Sequence, residues 1–174
     1  MIPDTYVKLL YSQAYRTPVF VEKFVNLQNV LIGDVNLKRE TIETIELGVD
    51  SQLDEKNQLQ IALYSLNLED EILRMPSQTN PATLYVNGDG KEMHGIEIEW
   101  RSIVSDDFEL IMNAAYVDGK DKSLAEEHAP FIANTMANII LSYHLASNWS
   151  ATLTSQYIDE KDVLSSITGE RSTL

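Results

Sequence analysis

The stretch Asn36-Leu37-Lys38-Arg39-Glu40-Thr41-Ile42-Glu43-Thr44-Ile45-Glu46-Leu47-Gly48 decides the fold. It opens as a polar loop and passes into strict alternation. Ile45, Leu47 and Val49 fall on one face, and Thr44, Glu46, Gly48 and Asp50 on the other. Period two of this kind is the signature of a strand with one apolar and one polar side.

Outward from this strand the same pattern recurs. Upstream, Tyr6 to Tyr15 places Val7, Leu9, Tyr11 and Tyr15 on one face, and Pro18 stops the ladder because it has no N–H to donate. Downstream, the polar turn Asp54-Glu55-Lys56-Asn57 leads at once into Gln58-Leu59-Gln60-Ile61-Ala62-Leu63, a hairpin signal. At Tyr64 the parity slips, since Leu66 and Leu68 fall on the other face, which predicts a bulge or a strand end. Gly95 to Arg101 is the cleanest strand, with Ile96, Ile98 and Trp100 opposed to Glu97, Glu99 and Arg101. Phe108 to Tyr116, Asn134 to His144 and Trp149 to Tyr157 complete the set. Phe131 to Leu145 also fits helical spacing through Ile132, Met136, Ile139, Ile140 and Tyr143. After Tyr157 no further strand is clear.

The connections alternate in length. Those after Leu53, Arg101 and His144 are short. Those after Tyr15, Leu68 and Tyr116 are long and polar, and Phe20, Phe24 and Leu27 in the first predict one short helical turn inside a packed loop. Transmembrane β-barrels keep this asymmetry, with short periplasmic turns and longer outer loops. Trp100, Phe108, Tyr143 and Trp149 flank short turns, while Tyr15, Tyr116 and Tyr157 stand at loop ends, each on the apolar parity of its strand. Two aromatic girdles are expected on a lipid-facing surface. Alternation with aromatics alone describes a soluble β-sandwich equally well. Loop asymmetry favours a barrel, and the sandwich stays open until the motifs below are added.

Several motifs resemble the C-terminal barrel half of TonB-dependent outer-membrane receptors. Tyr15-Arg16-Thr17-Pro18 is similar to that family's strand-ending Tyr/Phe-Arg-Ala-Pro corner, Asn36-Leu37-Lys38-Arg39-Glu40 to its Asn-Leu-Lys-Pro-Glu loop, Glu46-Leu47-Gly48 to its Glu-Leu-Gly strand, and Gly95-Ile96-Glu97 to its later Gly-Val-Glu strand. Thr17 and Arg39 depart from the usual Ala and Pro, and neither change removes a strand. The resemblance runs from Val7 to about Tyr157. It implies an all-β, antiparallel up-and-down transmembrane barrel, present here as about seven strands of a barrel that normally has about 22. Residues 1–174 would then be a partial barrel domain lacking the plug and the final strand.

Composition agrees and excludes alternatives. Hydrophobic residues make up 44% of the 174, so wholesale disorder is ruled out. No run of ~18 apolar residues exists for a spanning helix, which leaves barrel strands untouched because alternation hides their apolarity. The net charge of -14 argues against nucleic acid, whose phosphates need Lys and Arg, and against general adhesion to anionic lipid. Cysteine is absent, which removes disulfides, thiolate zinc sites and a thiol nucleophile. Met1-Ile2-Pro3-Asp4 has neither the basic nor the apolar region of a signal peptide, so an outer-membrane reading expects a fragment of a longer precursor.

No catalytic constellation emerges, and no cofactor or metal is expected. His94, His128 and His144 lack metal-ligand spacing. Glu97 and Glu99 stand ~6.5 to 7 Å apart along one strand face, near an inverting-glycosidase separation, yet carboxylates on a wet barrel wall are ordinary. Asp118-Gly119-Lys120-Asp121 lacks the later ligands of a calcium loop. Haem receptors resembling this family are expected to carry a histidine between Arg16 and Asn36, and none is there. The resemblance implies a parent receptor in the bacterial outer membrane that imports a scarce ligand such as a ferric siderophore. Its partners would be its own plug domain, membrane lipid, and the TonB complex reached through an absent N-terminal part. The loops 17–42, 69–92 and 118–130 would meet the ligand. A passive porin-type barrel and a soluble secreted β-protein binding carbohydrate or a partner are the alternatives.

Overall fold

The computed structural model describes residues 4–77, 82–122, 133–146, 148–164 and 171–173. In chain order the elements are β1 (Asp4–Arg16), α1 (Phe20–Phe24), β2 (Asn26–Leu27), β3 (Leu31–Ile32), β4 (Glu40–Gln52), β5 (Asn57–Glu69), β6 (Ile72–Pro76) and β7 (Thr83–Asn87). They continue with β8 (Lys91–Ser105), β9 (Phe108–Asp121), β10 (Thr135–Ala146), β11 (Trp149–Ile158), β12 (Asp162–Leu164) and β13 (Arg171–Thr173). Seven long strands form one antiparallel sheet in the order β1-β4-β5-β8-β9-β10-β11. The nearest long strands in sequence are neighbours in space, an up-and-down meander. Every short turn lies at one end of this sheet and every long connection at the other.

Register fixes the two faces. Across the first pair, Val7, Leu9 and Tyr11 stand opposite Val49, Leu47 and Ile45. The same face continues through Leu63, Ile96 and Tyr116, and through Leu110, Leu141 and Leu153. The opposite, concave face carries Lys8, Glu46, Asp50, Gln60, Glu97, Glu99 and Asn113. The apolar face is the convex one, and it is open: Leu9 is 75% exposed and Leu153 65%. Among the described residues, buried apolar side chains are few (Leu37, Ala82, Tyr85, Val117 and Ala133), and no large side chain is fully buried. A soluble sandwich would seal Ile96, Leu110 and Leu153 between two layers. Here polar residues line the hollow and apolar residues face outward, the polarity of a barrel wall in lipid. Among the described residues no helix is long and apolar enough to cross a membrane.

Aromatic rings mark both limits of the band. Phe108 and Tyr143 meet at the turn end with ring centroids 6.2 Å apart. On β9, Phe108 to Tyr116 spans eight steps of ~3.3 Å, which at a tilt of about 40° climbs roughly 20 Å. Just past Tyr116 the convex face turns polar, with Ser65, His94 and Asp118 in one row and Asn67, Glu92 and Lys120 in the next.

That switch explains a difference from the sequence expectation. β5 runs on to Glu69 against both neighbours with no register break, so the parity slip at Tyr64 is not a bulge. Leu66 and Leu68 turn to the concave face because the strand has left the hydrocarbon and its outer face meets water. The breaks in register lie at the turn ends instead, between Ile103 and Ser105 and between His144 and Ala146. β8 and β9 extend beyond Gly95–Arg101 and Phe108–Tyr116, which places Asp118 to Asp121 in a strand. Residues 123–130 of the expected loop lie outside the described residues. Thr135–Ala146 is strand, which resolves the helical alternative there. The helical turn expected near Phe20 is α1. Beyond Tyr157, a short β12–β13 hairpin appears where no strand was expected.

Candidate functional site: the mouth and the inner wall

The long loops are themselves folded. β2, β3, β7 and β6 form a four-stranded sheet, with β6–β7 a hairpin inside the stretch read as loop from Glu69 to Glu92. β3 and β7 pair in parallel, Leu31 with Thr83 and Ile32 with Leu84, so two separate outer loops share one sheet. Leu37 (5% exposed), Ala82 (1%) and Tyr85 are its buried residues. The Arg74 guanidinium lies over the Tyr85 ring at 5.2 Å and donates to its hydroxyl at 2.8 and 3.1 Å. Phe20 and Phe24 meet with ring centroids 4.8 Å apart and planes tilted by 38°, and both remain mostly exposed.

A clasp of charges ties this module to the barrel rim. Arg16 ends β1 on the concave side, and its Nη1 reaches Glu22 at 3.0 Å while Nη2 reaches Glu40 Oε1 at 3.0 Å and Nε bonds Glu40 Oε2. Pro18 ends pairing and starts the turn into α1, where Glu22 accepts the Val19 N–H at 2.8 Å, half of a capping box. Glu40 also accepts the Ile72 N–H at 2.7 Å, which pins the start of β6 to the start of β4. The Arg16 hydrogen bond, set against some burial and helped by the Ile72 N–H, holds the Glu40 carboxyl below the usual range. Arg16 is raised further by its two carboxylates, Glu40 foremost. A second tie uses Asn87: its Oδ1 accepts from Lys38 N at 2.8 Å, and its Nδ2 donates to the Asp70 carbonyl at 2.7 Å and the Lys38 carbonyl at 3.2 Å. Lys38–Asp70 at 3.1 Å and Lys91–Glu71 at 2.7 Å add ion pairs.

Below the clasp the concave wall forms a recess of about 480 Å³. Asp50 accepts from Gln58 at 3.0 Å and Gln60 at 3.4 Å. Arg101 pairs with Glu109 at 2.5 Å. The Oδ1 atoms of Asn113 and Asn138, register partners on this wall, are buried without a hydrogen-bond partner. Tyr64 lies across Gly95: a Cβ there would sit 2.3 Å from the phenol tip, so glycine leaves the room the ring fills.

The residues singled out from sequence thus divide by position. Arg16 and Glu40 meet in the clasp. Asn36 closes a local turn on Asp34, with bonds of 2.8 and 3.1 Å, and Leu37 beside it is buried. Glu46, Gly48 and Glu97 line the recess, and Gly95 sits under Tyr64. Leu47 and Tyr15 face outward, away from the mouth. Sequence reading missed Glu22, Asn87, Asp70 and Tyr64. Neither Glu22 nor Asn87 carried a sequence signal, since Val19 lacks the side-chain oxygen that would mark a capping box. His94 stands on the outer face opposite Asp118, His144 borders a turn, and His128 lies outside the described residues. Among the described residues no three His, Asp or Glu side chains are grouped to hold a metal.

An open antiparallel wall with apolar outside, polar inside and folded loops at one end defines part of an outer-membrane β-barrel. Residues 1–171 match the family model described as TonB dependent receptor-like, beta-barrel, and the chain belongs to that family. Proteins of this family reside in the outer membrane of Gram-negative bacteria. A ferric enterobactin receptor mutant from Pseudomonas aeruginosa is 16% identical with TM-score 0.78, the match covering 98% of this chain and 29% of that one. The siderophore receptor PirA from Acinetobacter baumannii is 16% identical with TM-score 0.75, over 98% of this chain and 31% of that one. The copper transporter OprC is 19% identical with TM-score 0.72, over 92% and 24%. The chain therefore spans less than a third of these structures, and at such identities the likeness establishes the fold. No curated protein matches the sequence.

Proposed function

We propose that this chain is one arc of a larger receptor barrel that takes up a ferric siderophore across the outer membrane with energy from the TonB complex. The carrying observation is the wall itself: lipid-facing outside, hydrated inside, capped at one end by a folded loop module. Strand direction supports a larger barrel. β1 and β11 are the two edges of a seven-stranded sheet, so both run from the turn end toward the mouth. Each edge needs a neighbour running back, and an even-stranded barrel requires an odd number of further strands. Two copies in the same membrane orientation would meet edge to edge in parallel, which the antiparallel ladder of such barrels does not allow.

The polar lining of the hollow, with Lys8, Glu46, Asp50, Gln60, Glu97 and Glu99, favours a polar body against the wall. We assign that body to the receptor's own plug, with the TonB contact made by a segment N-terminal to it. Family and structural neighbours are transport receptors rather than enzymes. Siderophore as cargo is supported by neighbours whose names carry it, and specificity would reside in the loop module.

The test is uptake of radiolabelled iron as a ferric siderophore by iron-starved cells expressing the complete receptor. Uptake is expected to vanish when either the receptor or TonB is deleted. Uptake that persists without TonB would instead indicate a passive pore.

A further inference from the structure

We infer that Tyr15 and Arg39 form a seat for the phosphate of an outer-leaflet lipid headgroup. The β1–β4 ladder sets Tyr15 on the face of Val7, Leu9 and Tyr11, the one that touches hydrocarbon, at the loop end where hydrocarbon gives way to headgroups. Its ring is 67% exposed. The Arg39 guanidinium lies over that ring, 5.2 Å from the centroid. This contact engages the cationic group with the ring and leaves the N–H edge of the guanidinium available to an acceptor.

Among the described residues nothing accepts from that edge. Several cations of the mouth behave differently: Arg16, Lys38, Lys91 and Lys122 each hold a carboxylate within 3.1 Å, and Arg74, which also lies over a tyrosine ring, spends its N–H groups on the Tyr85 hydroxyl. Arg39 is also exposed, so an anion can reach it. The phosphate geometry fits, because the guanidinium fork binds two oxygens at once while the tyrosine face shields one side from water. The position selects a lipid over cargo: Arg16 and Glu40, the next residues along each strand, occupy the concave face, and Arg39 lies on the other. A chain of net charge -14 repels anionic headgroups in general, so a cation such as Arg39 that holds no carboxylate and lies on the outward side of the rim marks where contact is favourable.

The experiment takes the complete receptor, stripped of lipid in a neutral detergent, and titrates it with phosphatidylglycerol under native mass spectrometry. Arg39→Gln is expected to weaken the tightest-bound lipid about fivefold, the scale of one basic residue at an anionic surface. Tyr15→Leu is expected to weaken it as well, and Lys38→Gln, which removes a neighbouring but paired cation, to leave it unchanged. Excess inorganic phosphate is expected not to displace the lipid. Unaltered binding by Arg39→Gln or Tyr15→Leu, equal loss with Lys38→Gln, or full displacement by inorganic phosphate would each overturn the assignment. Folding is checked by heat-modifiable gel mobility. Should Arg39→Gln fail that check, Arg39→Lys, which keeps charge without the planar fork, is titrated with weakening again expected. The readout does not involve cargo, so its failure is separable from failure of the uptake assay.

Discussion

Replacing Ile139 by lysine probes the polarity of the wall directly. Ile139 is 42% exposed on the convex face, and its register partner on β9 is Met112. Met112 lies four residues from Phe108 and four from Tyr116, so this row sits halfway between those two rings; Trp100, expected beside the short turn, is the β8 partner of Met112 and lies inside the band because β8 runs on to Ser105. Four steps of ~3.3 Å at about 40° of tilt place each rim roughly 10 Å away. A lysine stem cannot carry its ammonium out to water over that distance without deforming the bilayer. The expected cost is about 2–4 kcal/mol, the value for a cation at the midplane of a lipid-facing barrel surface. At about 3 kcal/mol the folded-to-unfolded ratio falls roughly 150-fold. Thr154, on the concave face opposite Ile140, is the control, and lysine there should cost less than about 1 kcal/mol. Denaturant unfolding of the complete receptor in lipid vesicles, followed by tryptophan fluorescence, measures both. Equal costs, or a larger cost at Thr154, would refute the assignment of faces.

Acid should loosen the loop module before it unfolds the barrel. Glu40 is held below its ordinary value of 4.5, so its contribution is fully present above that pH and is lost as pH falls through the lower folded value. Hydrogen exchange at the Ile72 amide is expected to accelerate below that range, and Arg16→Ala to produce the same acceleration at neutral pH. Gly90→Ala is expected to block proper entry into β8: φ is +88° and a Cβ would meet the Leu68 carbonyl oxygen at 1.9 Å, so the folded yield on a heat-modifiability gel should drop sharply. Leu37→Ala removes a buried side chain of the loop module at a cost of about 2–5 kcal/mol. Limited proteolysis should then cut the loops while barrel mobility on the gel stays intact.

Period-two alternation was legible wherever one strand face met one medium throughout. It gave Ile45, Leu47 and Val49 against Glu46 and Gly48 correctly, and likewise Ile96 and Ile98 against Glu97. It misled above Tyr64 because the medium outside changes from hydrocarbon to water along a single unbroken strand. The β6–β7 hairpin was unreadable because β7 draws pairing from β3, some fifty residues earlier in the chain. The clasp was half visible. Arg16 and Glu40 stood out only through a resemblance, and their meeting with Glu22 and the Ile72 amide depends on chain segments that sequence spacing does not relate.

The parallel seam between β3 and β7 has a consequence for how such a mouth can diversify. An insertion or deletion within β3 or β7 themselves would slide one half of the seam past the other and unpair Leu31 from Thr83. Changes in length are therefore tolerated where they leave the seam alone, as between β6 and β7, or where both strands change together. The two segments inherit their shape as a couple, and point substitutions on their exposed faces, such as Phe20 and Phe24, are the cheaper route to a new specificity.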